Sequence, residues 1–135
     1  ISRCTARKLE PKDAPQLLLL REGSADKFRD WPEILSKLTY YGVFVDGKLV
    51  SIAGTSIKLP EIWVISGVYT HPDFRNRGFA TQTTYVVTRD ALKKAGTATL
   101  FVRADNYPAI RVYEKIGYKK IDERLWVDVG TGLKP

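Results

Sequence analysis

A stretch of the chain between residues 68 and 80 has the residue types of an anion-binding site. An apolar run, residues 62–68, leads into a cluster of turn-forming and cationic residues, and apolar residues then recur at helical spacing from residue 79. This pattern predicts a strand, a turn and a helix. The first amides of such a helix have no intrahelical partner and cations lie beside them, which favours an anion. The turn consists of Arg75, Asn76, Arg77 and Gly78.

Small residues in this stretch suit a diphosphate. Gly78 has no Cβ, so a phosphate can approach the backbone, and Ala80 keeps the next helical turn thin. Short strings of this kind also arise by chance. The alternative is a helix whose N-terminus merely faces solvent. The context in the rest of the chain decides between the two.

A second segment downstream directs an amide and a phenol toward the same groove. Residues 97–103 are typical of a buried strand and residues 106–117 of a helix. Asn106 suits an N-cap, and Gly117 ends the helix. At about 3.6 residues per turn, Asn106 and Tyr113 lie two turns apart on nearly one line. We therefore expect both side chains to face one groove.

Together, the two segments resemble the coenzyme A-binding core of the GNAT acetyltransferase superfamily. The resemblance lies in Arg-x-x-Gly-x-Ala after the first strand, and in Asp-Asn-x-x-Ala-x-x-x-Tyr-Glu-Lys-x-Gly-Tyr after the second. It covers residues 62–118, with both motifs in the family's order and spacing. It implies acetyl-CoA as co-substrate and no metal. It also implies an α/β fold of the α+β type, with a mixed, mostly antiparallel sheet of six to seven strands, helices on both faces and splayed central parallel strands.

The resemblance assigns coenzyme contacts to the strand, the turn and the second helix. Backbone groups of Val68 and Thr70 would bind the pantetheine arm as an added strand would. A backbone amide near Val68 or Tyr69 would meet the thioester oxygen. For Asn106 a plain helix cap is the alternative, and the two roles are compatible. The implied coenzyme-binding residues are Val68, Tyr69, Thr70, Arg75, Asn76, Arg77, Gly78, Phe79, Ala80, Asn106, Ala109 and Tyr113.

Two residues are candidates for proton transfer. Tyr113 matches the family's general acid, and a phenol of pKa about 10 can protonate a thiolate whose thiol has a pKa of about 8.5, at a cost of about 2 kcal/mol. The acceptor ammonium must lose a proton before it attacks, and Glu61 at the start of a strand could accept it through water. The alternatives are a Tyr113 hydroxyl that only packs and a Glu61 carboxylate that is only solvated. His71 is expected to be a turn residue.

The segment between the first two helices is where the resembled family commonly forms the acceptor side of its cleft. Phe28 and Trp31 lie in or beside this segment and are the candidates for contact with the acceptor. Packing of both rings in the core is the alternative. The N-terminal third of the chain matches the family only in its pattern, so the sequence leaves the acceptor unassigned.

The composition is that of a single globular domain. Its 135 residues are 44% hydrophobic and 27% charged, enough for one core. With one cysteine and one histidine, neither an internal disulfide nor a cluster of metal ligands is expected, and a cytoplasmic location fits. Because no methionine occurs, even at position 1, we expect a trimmed chain or a piece of a longer product. No apolar run approaches the roughly 20 residues of a membrane span.

The remaining elements complete a mixed sheet with helices on both faces. Asp46-Gly47 between two apolar runs predicts a hairpin, and Gly67 inside the next strand predicts a bulge or a close backbone approach. Asp13 and Asp30 are the expected N-caps of two helices. The predicted elements are strands within 1–9, 40–45, 49–54 and 118–129 and helices at 16–22 and 30–38.

The sequence therefore predicts one acetyltransferase domain, residues 1–135, that moves an acetyl group from acetyl-CoA to a primary amine by direct attack in a ternary complex. A non-catalytic coenzyme A-binding or basic nucleic-acid-binding module on the same fold is the alternative, since the net charge of +7 favours polyanions. The basic residues are spread along the chain, so nucleic acid is not the expected partner. The expected partner is an amine of a small molecule or protein; a membrane partner is not expected, and a homodimer is compatible with the sequence.

Overall fold

The computed structural model describes residues 4–22 and 29–130, which form one seven-stranded sheet with helices on both faces. The strands are β1 (Cys4–Lys8), β2 (Tyr40–Val45), β3 (Lys48–Lys58), β4 (Trp63–Thr70), β5 (Ala98–Phe101), β6 (Lys119–Lys120) and β7 (Leu125–Asp128). The α-helices are α1 (Ala14–Leu20), α2 (Trp31–Lys37), α3 (Phe79–Lys94) and α4 (Tyr107–Ile116). The strand order is β1-β2-β3-β4-β5-β7-β6, and only β4 and β5 pair in parallel. The predicted fold class is confirmed.

The hairpin between β2 and β3 forms at Asp46-Gly47, as predicted. The two residues have φ values of 50° and 83°, and a tight turn between twisted strands requires positive values at both positions. β3 is longer than expected and runs to Lys58, because β4 folds back on it and pairs Trp63 with Lys58.

A bidentate ion pair fixes the start of the first helix. Asp13 occupies the N-cap position of α1, but its carboxylate makes no cap bond. It accepts hydrogen bonds from the Arg7 guanidinium at 2.8 and 2.9 Å and from the Glu10 amide at 2.7 Å instead. The hydrogen bonds from Arg7 hold the pKa of Asp13 below its usual value. Asp30 caps α2 as predicted, because its side chain accepts from the Glu33 amide at 3.3 Å.

Two clusters of buried side chains lie on opposite faces of the sheet. Alternation along β3 sends Ala53 to one face and Ile52 to the other. The largest side chains of the cluster beneath α3 and α4 are Trp63, Tyr113, Tyr118 and Trp126. The face covered by α1 and α2 is built around Leu17, Trp31, Leu35, Tyr40 and Phe44. No helix of the described residues is long and apolar enough to cross a bilayer.

β4 and β5 separate almost as soon as they meet. Only two residue pairs join them, Trp63 with Ala98 and Val64 with Thr99. β4 continues to Thr70, so its later residues have no strand beside them on that side among the described residues. The splayed pair leaves backbone hydrogen-bonding groups open at the middle of the sheet.

The predicted bulge at Gly67 lies at this opening. Between the pairs Gly54–Ser66 and Ile52–Tyr69, β4 has two residues where β3 has one. Gly67 has a φ of 67°, and a Cβ there would come within 2.8 Å of the Tyr40 hydroxyl oxygen. Both the backbone conformation and the close approach therefore require glycine.

Candidate functional site

An open cleft of about 860 Å³ lies where β4 ends and α3 begins, with α4 as its other wall. This volume is in the range of small-molecule sites, about 300–1,000 Å³. Of the predicted coenzyme-binding residues, all but Arg77 line it. The lining residues are Val68, Tyr69, Thr70, Phe74, Arg75, Asn76, Gly78, Phe79, Ala80, Thr81, Asn106, Pro108, Ala109, Arg111, Val112, Tyr113 and Lys115.

The turn before α3 presents its backbone to the cleft through two left-handed residues. Asn76 has a φ of 65° and Gly78, the N-cap of α3, has a φ of 85°. Asparagine tolerates this conformation better than most residues, and glycine adopts it without strain. A Cβ on Gly78 would meet no atom within 4 Å. The protein therefore leaves space above Gly78, beside amides that have no intrahelical partner.

The two arginines of the turn have different surroundings. The Arg75 Nε–H donates to the Thr70 carbonyl oxygen at 2.9 Å, and the guanidinium lies 5.5 Å from the centre of the Tyr69 ring. The Arg77 guanidinium lies 5.3 Å from the centre of the Phe74 ring, and Arg77 does not line the cleft. Arg75 thus lies at the predicted anion site, and Arg77, exposed and next to it in the turn, contacts the Phe74 ring.

Three buried hydroxyl groups beneath the turn were not indicated by the motifs. The Ser51 Oγ lies 2.8 Å from the Thr70 Oγ1 and 3.3 Å from the Thr83 Oγ1. Thr83 also donates to the carbonyl oxygens of Phe79 and Ala80, at 3.1 and 3.2 Å. Buried hydroxyls require such partners. The network joins β3, the end of β4 and the first turn of α3, so it fixes the turn on the sheet; a threonine at a core-facing helix position was the available signal.

Tyr113 lies on α4 with its ring in the core and part of its surface in the cleft. The residue is 8% exposed, and its ring packs edge-on against Tyr118, with centroids 6.0 Å apart. The Tyr118 hydroxyl is in turn 2.8 Å from the Thr88 Oγ1 on α3. Burial raises the pKa of Tyr113, so the phenol stays protonated at neutral pH. The Tyr113 hydroxyl makes no hydrogen bond to another described residue.

Asn106 caps α4 and lines the cleft as well. Its Oδ1 accepts a hydrogen bond from the Ala109 amide at 3.3 Å. Gly117 ends the helix with a φ of 131°, as predicted. The cap occupies the side-chain oxygen and leaves the N–H₂ group for another partner. The structural role of Asn106 is therefore confirmed, and a ligand contact is compatible with it.

Glu61 does not line the cleft formed by the described residues, and its role as the general base stays a prediction. The residue is exposed in the connection between β3 and β4, where the Leu59 amide donates to the Ile62 carbonyl oxygen at 2.9 Å. At about 3.3 Å per strand residue, Glu61 is roughly 20 Å from Val68. The strand starts two residues later than the sequence indicated, because Pro60 and Glu61 form the turn. The described lining of the cleft contains no Asp, Glu, His or Cys.

Of the two predicted acceptor contacts, Phe28 lies outside the described residues. Trp31 is 2% exposed, and its ring packs edge-on against the Tyr40 ring, with centroids 5.6 Å apart. It lies on the face of the sheet that α1 and α2 cover, called here the N-terminal face. The structure thus corrects the expectation for Trp31, because the apolar face of α2 holds its indole in the core. His71 accepts from the Asp73 amide at 3.0 Å and has the predicted turn role.

Comparison with known sequences identifies one family. Residues 40–127 match the sequence model of the family described as FR47-like protein. The match covers more than half of the chain and includes β4, the glycine turn, α3 and α4. No curated protein matches the chain in sequence.

Solved structures share the fold over nearly the whole chain. An acetyltransferase of the GNAT family from Streptococcus pneumoniae is 17% identical and superposes with a TM-score of 0.78 over 94% of this chain and 99% of its own. The ribosomal-protein-S18-alanine N-acetyltransferase from Escherichia coli is 20% identical, with a TM-score of 0.71 over 93% and 91%. The PaiA N-acetyltransferase from Thermoplasma acidophilum, solved in complex with coenzyme A, is 18% identical, with a TM-score of 0.67 over 93% and 96%. At these identities the likeness establishes the fold.

Proposed function

Because the chain belongs to the FR47-like family of GNAT acetyltransferases, we propose that it transfers an acetyl group from acetyl-CoA to a primary amine within a ternary complex. One observation carries the proposal: the amides beside Gly78, the unpaired edge of β4 and Tyr113 meet in a single cleft. The amides suit a diphosphate, and the β4 edge suits a peptide-like arm. The Tyr113 hydroxyl suits a departing sulfur.

The donor is held by groups that the protein leaves unpaired. The diphosphate takes the free amides at the start of α3 and the guanidinium of Arg75. The pantetheine arm carries amide groups, which pair with the β4 backbone near Val68 as an added strand would. The hydroxyl network under the turn keeps these donors in place before the ligand arrives, so less ordering is needed on binding.

The acceptor loses its ammonium proton without a carboxylate in the described cleft wall. That wall carries three cations, Arg75, Arg111 and Lys115. These cations pair with the phosphate groups of the donor, so they do not promote deprotonation of the amine. Water accepts the proton, and the neutral nitrogen attacks the thioester carbonyl carbon. We therefore expect the rate at saturating donor to keep rising above about pH 7, toward the pKa of the acceptor amine.

Tyr113 assists the departure of the coenzyme thiolate. The C–N bond forms, the C–S bond breaks with its electron pair moving to sulfur, and the phenol donates its proton to that sulfur. Burial raises the pKa of Tyr113, which weakens it as an acid. The proton transfer from the phenol to sulfur is therefore uphill, and it is coupled to the breaking of the C–S bond. The attacking nitrogen, which is positively charged after the C–N bond forms, releases its second proton to water, and water returns a proton to the phenolate. The products are an amide and free coenzyme A.

A thiol-reactive dye tests the proposal directly. Acetyl-CoA is mixed with the protein and with a panel of amines: peptide N-termini, a lysine peptide, a polyamine and an aminoglycoside. We expect thiol release that requires protein, donor and at least one of these amines together. Release without any amine would indicate hydrolysis, and a lack of acetyl-CoA binding in calorimetry would contradict the proposal outright. Binding of duplex nucleic acid that collapses steeply with salt would favour the basic binding module.

A further inference from the structure

Two cations on α4 face the cleft without an acidic partner. Arg111 and Lys115 are exposed, line the wall opposite the turn and form no ion pair with a residue that the structure describes. They are four residues apart, so their side chains lie on one line of the helix. Like charges at this spacing destabilise a helix. Lys115 gains from its place in the last turn, but Arg111 in the middle of α4 does not.

The turn across the cleft has little positive charge left for a second anion. Arg75 is held at the end of β4 by its bond to the Thr70 carbonyl oxygen, and the diphosphate takes its remaining donors. Arg77 lies on the Phe74 ring and outside the cleft lining. Among the described lining residues, the cations left for a further phosphate group are therefore those on α4.

Coenzyme A carries such a group. Its ribose bears a 3′-phosphate on the sugar that is joined directly to the diphosphate, and a phosphomonoester has a charge of about −1.5 to −2 at pH 7. A ribose next to the diphosphate stays close to the turn, and α4 forms the wall of the cleft opposite the turn. We infer that Arg111 and Lys115 bind the 3′-phosphate of coenzyme A. The inference rests on the proposed function, which places coenzyme A in this cleft.

The two side chains suit this anion in different ways. The Arg111 guanidinium can bind two phosphate oxygens at once, and the Lys115 ammonium acts as a point charge. Together they make the cleft selective for coenzyme A over dephospho-coenzyme A, which lacks the 3′-phosphate and is otherwise identical. Both cations are exposed, so the selectivity should shrink as salt is added.

The test compares the dissociation constants of coenzyme A and dephospho-coenzyme A by calorimetry at fixed ionic strength. The variant is the double substitution Arg111→Gln and Lys115→Gln. The control is Arg89→Gln with Lys93→Gln, an exposed Arg/Lys pair at the same spacing on α3 that lies outside the cleft. We expect the wild type to bind coenzyme A at least about tenfold more tightly than dephospho-coenzyme A. The double variant should lose this preference, and the control should keep it.

The outcomes separate this inference from the function on which it rests. A similar loss of affinity for both coenzymes in the double variant would assign the two cations to the diphosphate and overturn the inference. Equal affinity of the wild type for both coenzymes would also overturn it and leave the proposed function intact. A wild type that binds neither coenzyme would remove the proposed function and the inference together.

Discussion

The N-terminal face of the sheet and the cleft on its C-terminal side treat their polar groups in opposite ways. On the N-terminal face the Asp13 carboxylate is fully paired with Arg7, and the Trp31 indole is buried against Tyr40. In the cleft β4 leaves β5 after two residue pairs, and the amides beside Gly78 are without intrahelical partners. The N-terminal face pairs its polar groups within the protein, and the cleft leaves backbone hydrogen-bonding groups available to a ligand.

This difference separates stability from binding. Groups paired inside the protein contribute to the free energy of unfolding, and groups left open contribute when a ligand arrives. Substitutions on the N-terminal face should therefore change unfolding and leave coenzyme affinity intact. Substitutions of the open groups in the cleft should change coenzyme binding or the chemical step more than they change unfolding.

Trp31→Ala should have the largest effect. Removing this indole leaves a cavity under α2 and should lower the free energy of unfolding by about 3–5 kcal/mol, measured by chemical denaturation. Trp31→Phe should cost clearly less. The affinity of the remaining folded protein for coenzyme A should equal that of the wild type. If Trp31→Ala instead kept the stability of the wild type and changed the kinetics toward the acceptor, Trp31 would be assigned to the acceptor site.

Tyr113→Phe should have the next largest effect, on the chemical step. Loss of the proton donor should slow thiol release by about 100- to 1,000-fold, while the dissociation constant of coenzyme A changes by less than about threefold. Tyr85→Phe removes a hydroxyl from α3 outside the cleft and serves as the matched control. Equal rates for Tyr113→Phe and the control would show that the phenol only packs.

Gly78→Ala should reduce the affinity for coenzyme A more than it reduces the free energy of unfolding. Gly47→Ala is the matched control. The two glycines have φ values of 85° and 83°, and a Cβ on either would meet nothing within 4 Å. Each substitution should cost about 1 kcal/mol of unfolding free energy through backbone strain. Only Gly78→Ala should also weaken coenzyme A binding, by about tenfold or more, because its Cβ faces the phosphate. Equal affinities of the two variants would contradict the site.

Asp13→Asn should have the smallest effect, confined to stability. Hydrogen bonds from Arg7 lower the folded pKa of Asp13, so its contribution is complete above the unfolded pKa of about 3.9 and is lost as pH falls through the lower folded value. The substitution should cost about 1 kcal/mol at pH 7, since Arg7 is partly exposed. It should also flatten the decline of stability below about pH 4. If the free energy of unfolding of Asp13→Asn fell with pH below about 4 as steeply as that of the wild type, the decline would be assigned to other carboxylates.

Much of the cleft could be predicted from sequence because its constraints are local. A diphosphate needs a turn with glycine at the start of a helix, and Gly78 and its neighbours meet this requirement within a few residues. The second motif, from Asn106 to Tyr113, was needed to separate it from a chance match. The cap at Asn106, the stop at Gly117 and the bulge at Gly67 are likewise set by short-range backbone geometry.

The sequence was least informative where distant parts of the chain determine the position of a residue. The position of Glu61 depends on how far β3 and β4 pair, which a hairpin signal does not reveal. The burial of Trp31 depends on α2 packing over β2, and an aromatic residue near a loop is compatible with either core or cleft. The hydroxyl chain from Ser51 to Thr83 joins three elements, so Thr83 on the core-facing side of α3 could indicate a buried hydroxyl but not its partners.

A crystal structure with coenzyme A bound would test the central claim most directly. We predict diphosphate oxygens on the amides beside Gly78 and the coenzyme sulfur at hydrogen-bond distance from the Tyr113 hydroxyl. A diphosphate bound elsewhere, or a sulfur without access to that hydroxyl, would contradict the account.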